Sequence, residues 1–154
     1  VVTWSTDALW LGPAIVTRLR TELPDLRSVR VMDDLTPDDK PAQMPAAVVL
    51  LQGLRPDTAP DGRRYTVAVE ADWVVAIVVD SRRADSDAQR QVAGPIITQV
   101  VAALHGWQAD GLNRPLAWVP GAPRPYFTRN FSAYPLLLRA RFSTRSESML
   151  PPLT

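Results

Sequence analysis

Hydrophobic positions in this chain recur with two different periods. Between Arg63 and Asp80 the period is two. Val67, Val69, Ala71, Trp73, Val75, Ile77 and Val79 share one parity, which sets them on one face of a strand. The other face begins with Thr66, Glu70 and Asp72 and turns apolar at Val74, Ala76 and Val78. This predicts a strand with one wet side in its first half and cover on both sides in its second. About fifteen residues at ~3.3 Å each span roughly 50 Å, so part of the strand is expected to bend or to project beyond the core. A second alternation covers Phe131–Arg145. Leu136, Leu138, Ala140 and Phe142 are expected to face the core, and Leu137, Arg139, Arg141 and Ser143 to face water or a partner. Ala46–Gln52 is a nearly continuous apolar run between Pro45 and Gly53 and reads as a buried central strand. Ser28–Met32, with Val29 and Val31 on one side, and Pro115–Val119 read as short strands.

The other period is helical. Ile15, Leu19 and Leu23 form a stripe that ends at Pro24, and Pro13 suits the first helical position; a start near Thr6 or Asp7 with a kink at Gly12-Pro13 also fits. In Ala84–Leu104 the stripe runs Ala88, Val92, Ile96, Val100 and Leu104, flanked by Ala93, Ile97 and Val101. Its width suits packing on a sheet with a further contact to another chain. Gly94-Pro95 predicts a kink there, Gly106 a left-handed cap, and Trp107 a fold back onto the last turn. Asp33–Pro45, Leu54–Gly62 and Gly121–Arg129 read as connections, the last as a proline-rich bend, and Ser146–Thr154 as a frayed tail. The order α-β-β-β-α-β-β predicts a single α+β domain over residues 1–154: a mainly antiparallel sheet with two helices packed on one face.

Composition narrows the function classes. The 154 residues fit one domain. There are no cysteines and one histidine, which excludes disulfides, thiolate chemistry and a two-histidine metal site within one chain. Seventeen basic residues balance sixteen acidic ones, arguing against a dedicated nucleic-acid or anionic-membrane binder. No apolar run reaches the ~20 residues of a membrane helix, and Val1–Asp7 lacks the pattern of a signal peptide. All but one of the basic residues are arginine, a composition that fits either a GC-rich genome or arginine used at protein interfaces.

Candidate chemistry is sparse. His105 falls at a helix end, where an imidazolium interacts well with the dipole, and no Gly-x-Ser-x-Gly elbow accompanies it. Asp33, Asp34, Asp38 and Asp39 lack the glycine and glutamate of a calcium loop and read as a solvated loop or a surface for a basic partner. Glu70 and Asp72 share a strand face and are expected to meet solvent or an inter-subunit ion pair. Arg55, Arg63 and Arg64 read as a solvated hairpin tip, with phosphate contact as the sharper alternative. The aromatic residues of the last third, among them Trp107, Trp118, Tyr126, Phe127, Phe131 and Tyr134, suit a core or a protein interface. No catalytic residue, cofactor site or metal site is assigned.

An ordered set of these features resembles the tail terminator proteins of long-tailed bacteriophages. It comprises the opening helix ending in Leu23-Pro24, the strand Pro45–Gly53, and the Gly62 turn feeding Tyr65–Val79. The helix closing in Ala103-Leu104-His105-Gly106-Trp107 follows, and then the aromatic segment from Tyr126 to Tyr134-Pro135-Leu136. The resemblance covers roughly Ala14–Phe142; Gly12-Pro13 and Gly94-Pro95 depart from it. It implies a structural virion protein and no enzyme: a six-membered ring on the head-proximal end of the tail tube that stops polymerisation and meets the neck proteins. DNA would pass through its lumen without specific binding. Another head–tail joining protein, or a small-molecule-binding α+β domain, remains the alternative. The candidate interface residues are Asp33, Asp34, Asp38 and Asp39, then Arg55, Arg63 and Arg64, then Val74 and Val78, then Arg139 and Arg141. On this reading Ile77→Asp abolishes folding, whereas Val78→Asp spares the fold and impairs assembly.

Overall fold

The two strands with the clearest alternation pair with each other. In the computed structural model, which describes residues 5–32, 43–57, 66–80 and 86–145, β3 (Thr66–Asp80) and β6 (Phe131–Arg145) run antiparallel over all fifteen residues of each. No stretch of β3 is left without a strand partner, because β6 has the same length; its first end, with Val67 exposed, lies outside the buried clusters. β2 (Ala46–Pro56) covers the other side of β3, also antiparallel, and the edge strand β1 (Ser28–Val31) joins β2 in parallel. β4 (Ala117–Val119) and β5 (Tyr126–Phe127) pair with successive stretches of β6. Among the described residues this gives a six-stranded, mostly antiparallel sheet ordered β1-β2-β3-β6-β4, with β5 also on β6. Together with α1 (Leu11–Glu22) and α2 (Ser86–Leu104), the class is α+β, as the element order predicts.

Alternation decides what is buried. The larger buried cluster joins Leu11, Ile15 and Leu19 of α1 and Val100 and Leu104 of α2 to Ala47, Val49, Trp73, Val75, Ile77, Leu136, Leu138 and Phe142. The intervening strand residues Ala46, Val48, Val78, Phe131 and Ala133 form a second, smaller cluster. Burying an apolar side chain of this size contributes about 1.5–3 kcal/mol, so both clusters hold the sheet.

Several boundaries and faces differ from expectation. α1 starts at Leu11, so Pro13 occupies its third position, still within the turn whose N–H groups have no helical partner. Gly12 is required by packing: a Cβ there would lie 2.8 and 2.9 Å from atoms of the Trp73 ring. In α2 the buried stripe is Ala93, Val100 and Leu104, and Val92 is exposed. Val100 and Leu104 thus lie in the core as expected and Ile96 is half-buried; the departure is at the N-terminal end of the stripe, where Ala93 replaces Val92, and Pro95 remains inside the helix. Gly106 has φ +83° and caps α2 as predicted. The Arg18 guanidinium lies 5.4 Å from the Trp107 ring centre and donates from Nε to the Ala103 carbonyl, tying α1 to that cap. Leu137 and Ser143, expected outside, are buried. Leu137 lies opposite Val119 of β4, and Ser143 accepts a hydrogen bond from Asn113 Nδ2 at 2.7 Å. Val31 is exposed although Val29 is buried, because β1 is an edge strand.

Candidate functional site

One face of the β2-β3-β6 ribbon is charged at one end and apolar at the other. The charged end depends on a local irregularity. Residues 46–51 of β2 pair with 78–73 of β3 in simple register, which then shifts by one between Leu51 and Gly53. Without this bulge Arg55 would stand opposite Val69 and point to the other face; with it, Arg55 stands opposite Glu70. On the far side of β3, Glu70 faces Arg141 and Asp72 faces Arg139.

The result is a ladder of alternating charge across three strands. Arg55 donates to Asp72 at 2.8 Å and to Glu70; Arg139 Nε donates to Asp72 at 3.0 Å; Arg141 Nε donates to Glu70 at 3.1 Å. Asp57 extends the ladder, with its Oδ2 3.8 Å from Arg141 Nε. The carboxylates lie deeper than the guanidinium groups: the Glu70 and Asp72 side chains are 13% and 11% exposed, and that of Arg55 is 38%. Burial pushes the Glu70 carboxyl up, but hydrogen bonds from Arg55 and Arg141 outweigh it and hold the group below its usual range. For Asp72 burial acts the same way and is outweighed by Arg55 and Arg139. Hydrogen bonds donated to Asp72 and then Glu70 raise Arg55 above its ordinary value. Glu70 and Asp72 are thus fixed as ionised acceptors within one subunit, which corrects the expectation of solvent or an inter-subunit pair. Neither is poised as a general acid.

The apolar end carries a groove of about 410 Å³. Its floor is Leu50, Val74, Ala76, Ala133 and Pro135, and its wall is the 123–126 segment with Pro123, Arg124 and Tyr126. The wall stands because β5 pairs with β6 and Thr128 Oγ1 accepts from the Phe131 backbone N–H at 3.0 Å. Tyr126 packs on Phe131 with ring centres 5.9 Å apart. The charged and amide side chains of the lining, Arg124 and Gln52, are exposed, and Tyr126 is half-buried. The lining therefore offers shape and carbon surface, with no convergence of reactive groups.

The predicted site residues separate on this frame. Arg55, Arg139 and Arg141 come together in the ladder. Val74 lines the groove floor, but Val78 is fully buried in the smaller cluster of its own subunit. A partner-facing Val78 is therefore corrected: Phe131 and Ala133 of β6 share its cluster, a role its strand parity does not reveal. Asp33, Asp34, Asp38, Asp39, Arg63 and Arg64 lie outside the described residues. His105 Nδ1 accepts a hydrogen bond from the Trp118 backbone N–H at 3.1 Å, linking the end of α2 to β4. Sequence reading missed Asp57 and the groove wall. Asp57 falls in the segment Leu54–Gly62 and Pro123–Tyr126 in the segment Gly121–Arg129, which the sequence presents as connections. Trp118 and Phe127, read as core or interface, are exposed, and Phe127 meets Tyr134 edge-on.

Among the described residues, no group of three or more histidine, aspartate and glutamate side chains is placed to hold a metal ion, and no helix is long and apolar enough to cross a membrane. Fold and site define an α+β domain whose chemistry is ion pairing and surface packing. The sequence matches the profile of the Phage tail terminator protein family over residues 6–147, and the chain belongs to that family. It is a structural protein of the phage tail, and its place is in the tail of the virion. No curated protein matches the chain.

Proposed function

We propose that this chain assembles into a six-membered ring on the head-proximal end of the tail tube, ends tube polymerisation there, and presents a surface to the neck proteins. The family match over residues 6–147 carries this reading. The geometry is compatible with it. A head-to-tail contact that closes on itself needs two complementary flanks and no reactive cleft. Both helices share the larger buried cluster, which supports a layer of two helices over one sheet face, leaving the ladder and groove on the other. The ladder pairs Arg55, Arg139 and Arg141 internally, so this end of the face offers little net charge to DNA in the lumen. Exposed Trp118 and Phe127 beside the short strands β4 and β5 are further contact candidates. The reading entails no enzymatic step, no cofactor and no membrane, with assembly in the host cytoplasm.

Electron microscopy of tails assembled without the chain tests this. The expected result is tubes of scattered, excessive length, restored to uniform length when the chain is supplied. Tubes of normal length that lack only heads would overturn termination and assign a joining role.

A further inference from the structure

We propose that the apolar groove receives the C-terminal tail of a second copy of this chain. Three observations converge. The groove is open and apolar, and at about 410 Å³ it is the size of a ligand-binding cleft. The nine residues after Arg145, outside the described set, read Ser-Glu-Ser-Met-Leu-Pro-Pro-Leu-Thr, so Met149–Leu153 is an uncharged apolar run with two prolines. Such a run docks readily in a groove edged by an aromatic ring, because proline leaves less conformational entropy to lose. Tyr126 and Pro123 supply that edge. Charge also matches. Arg124 sits exposed on the groove wall and makes no ion pair among the described residues, and Glu147 lies two residues before Met149.

The tail cannot fill its own groove. Pro135 on the groove floor lies ten residues before Arg145 along β6, about 33 Å at ~3.3 Å per residue. The near edge of the floor, Val74 level with Leu137, lies about 26 Å away on the same scale, and the Gln52 rim, level with Leu138 and Arg139, about 20–23 Å, so a tail turning back on its own subunit comes at most to the rim. Met149–Leu153 lies four to eight residues beyond Arg145 and reaches at most ~29 Å at full stretch; reversing direction at the end of β6 takes at least two or three of those residues, which leaves about 20 Å. The contact is therefore made in trans. One copy gives a tail and offers a groove at separate places, which is a heterologous contact able to close a ring. The proposal deepens the ring reading and rests on it for closure.

The native chain has no cysteine, so introduced ones report cleanly. The test is the full-length chain carrying Gln52→Cys, on the exposed groove rim, together with Met149→Cys, oxidised and run on a denaturing gel. The expected result is a ladder of covalent oligomers. A mixture of the two single variants is expected to give a dimer that neither gives alone at that yield. Arg124→Glu should lower cross-linking about fivefold, and adding Glu147→Arg should restore it. A monomer carrying an internal link would overturn the trans contact; a monomer with no link, or a ladder indifferent to Arg124→Glu, would overturn the docking mode. Circular dichroism of each variant verifies folding. Tail-length imaging reads the ring proposal separately, so failure of the cross-link alongside intact length control removes this contact alone.

Discussion

Replacing Gly12 with alanine sets two effects against each other. In a helix, alanine is favoured over glycine by about 0.5–1 kcal/mol, because glycine has more backbone freedom to lose. At this site the new Cβ would stand 2.8 and 2.9 Å from two atoms of the Trp73 ring. Carbon atoms prefer ~3.5–4.0 Å. Trp73 is 2% exposed in the larger cluster, so its ring has no free space to enter. Overpacking of this kind costs ~1–3 kcal/mol. The clash wins, and Gly12→Ala is expected to destabilise by about 1 kcal/mol or more, lowering Tm by about 2–4 °C per kcal/mol for a chain of this size. The decisive assay is a double-mutant cycle followed by thermal and urea unfolding. Trp73→Phe removes the two crowded ring atoms, so in that background Gly12→Ala should become neutral or stabilising. A rise in Tm for Gly12→Ala in the otherwise native chain, with no coupling to Trp73, would refute the close seating of α1 on the sheet.

Other predictions concern the ladder, the second cluster and the histidine. Asp72→Asn removes the charge at the centre of the ladder and should destabilise by about 1–3 kcal/mol at neutral pH, since Arg55 and Arg139 keep access to water. Because the folded values of Glu70 and Asp72 lie below their unfolded ones, their contribution is complete above about pH 5 and is lost as pH falls through the depressed folded values. The stability gap between the native chain and Asp72→Asn, measured by urea unfolding, should therefore narrow toward pH 2; a constant gap contradicts the ladder's electrostatic role. Val78→Asp places an unpaired charge among Phe131, Ala46 and Val48 and should abolish the cooperative unfolding transition, the outcome also expected of Ile77→Asp. His105→Ala loses one exposed hydrogen bond and should shift stability by no more than about 1 kcal/mol, read by the same unfolding assay.

The alternating strands were legible because a period of two leaves little room for a second reading. Phe131–Arg145 has the predicted bounds, and Leu136, Leu138, Ala140 and Phe142 face the core as their parity requires. The ladder was not legible. Glu70 and Asp72 look exposed in sequence because their cover comes from Arg139 and Arg141, some seventy residues away, and from Arg55 through a one-residue bulge at Gln52. Leu54–Pro56, read as a loop for its proline, continues β2, where Pro56 stands at the strand's last position. The stripe of α2 holds at Val100 and Leu104 and fails at Val92, because the neighbouring apolar pair Val92-Ala93 fits two helical faces equally well and Ala93 is the one that meets the core. Val78 shows the limit of parity. Alternation tells that a residue leaves one face, but whether water, a partner or the same chain meets it on the other depends on distant segments. Here Phe131, Ala133 and Tyr126 belong to the cluster that covers it.

The most direct test of termination is to add the purified chain to tail tube protein as it polymerises, with the chain labelled for electron microscopy. The account predicts that mean tube length falls as the ratio of chain to tube protein rises, with label at one end of each finished tube. Tubes whose length ignores the chain, or label scattered along their walls, would contradict it.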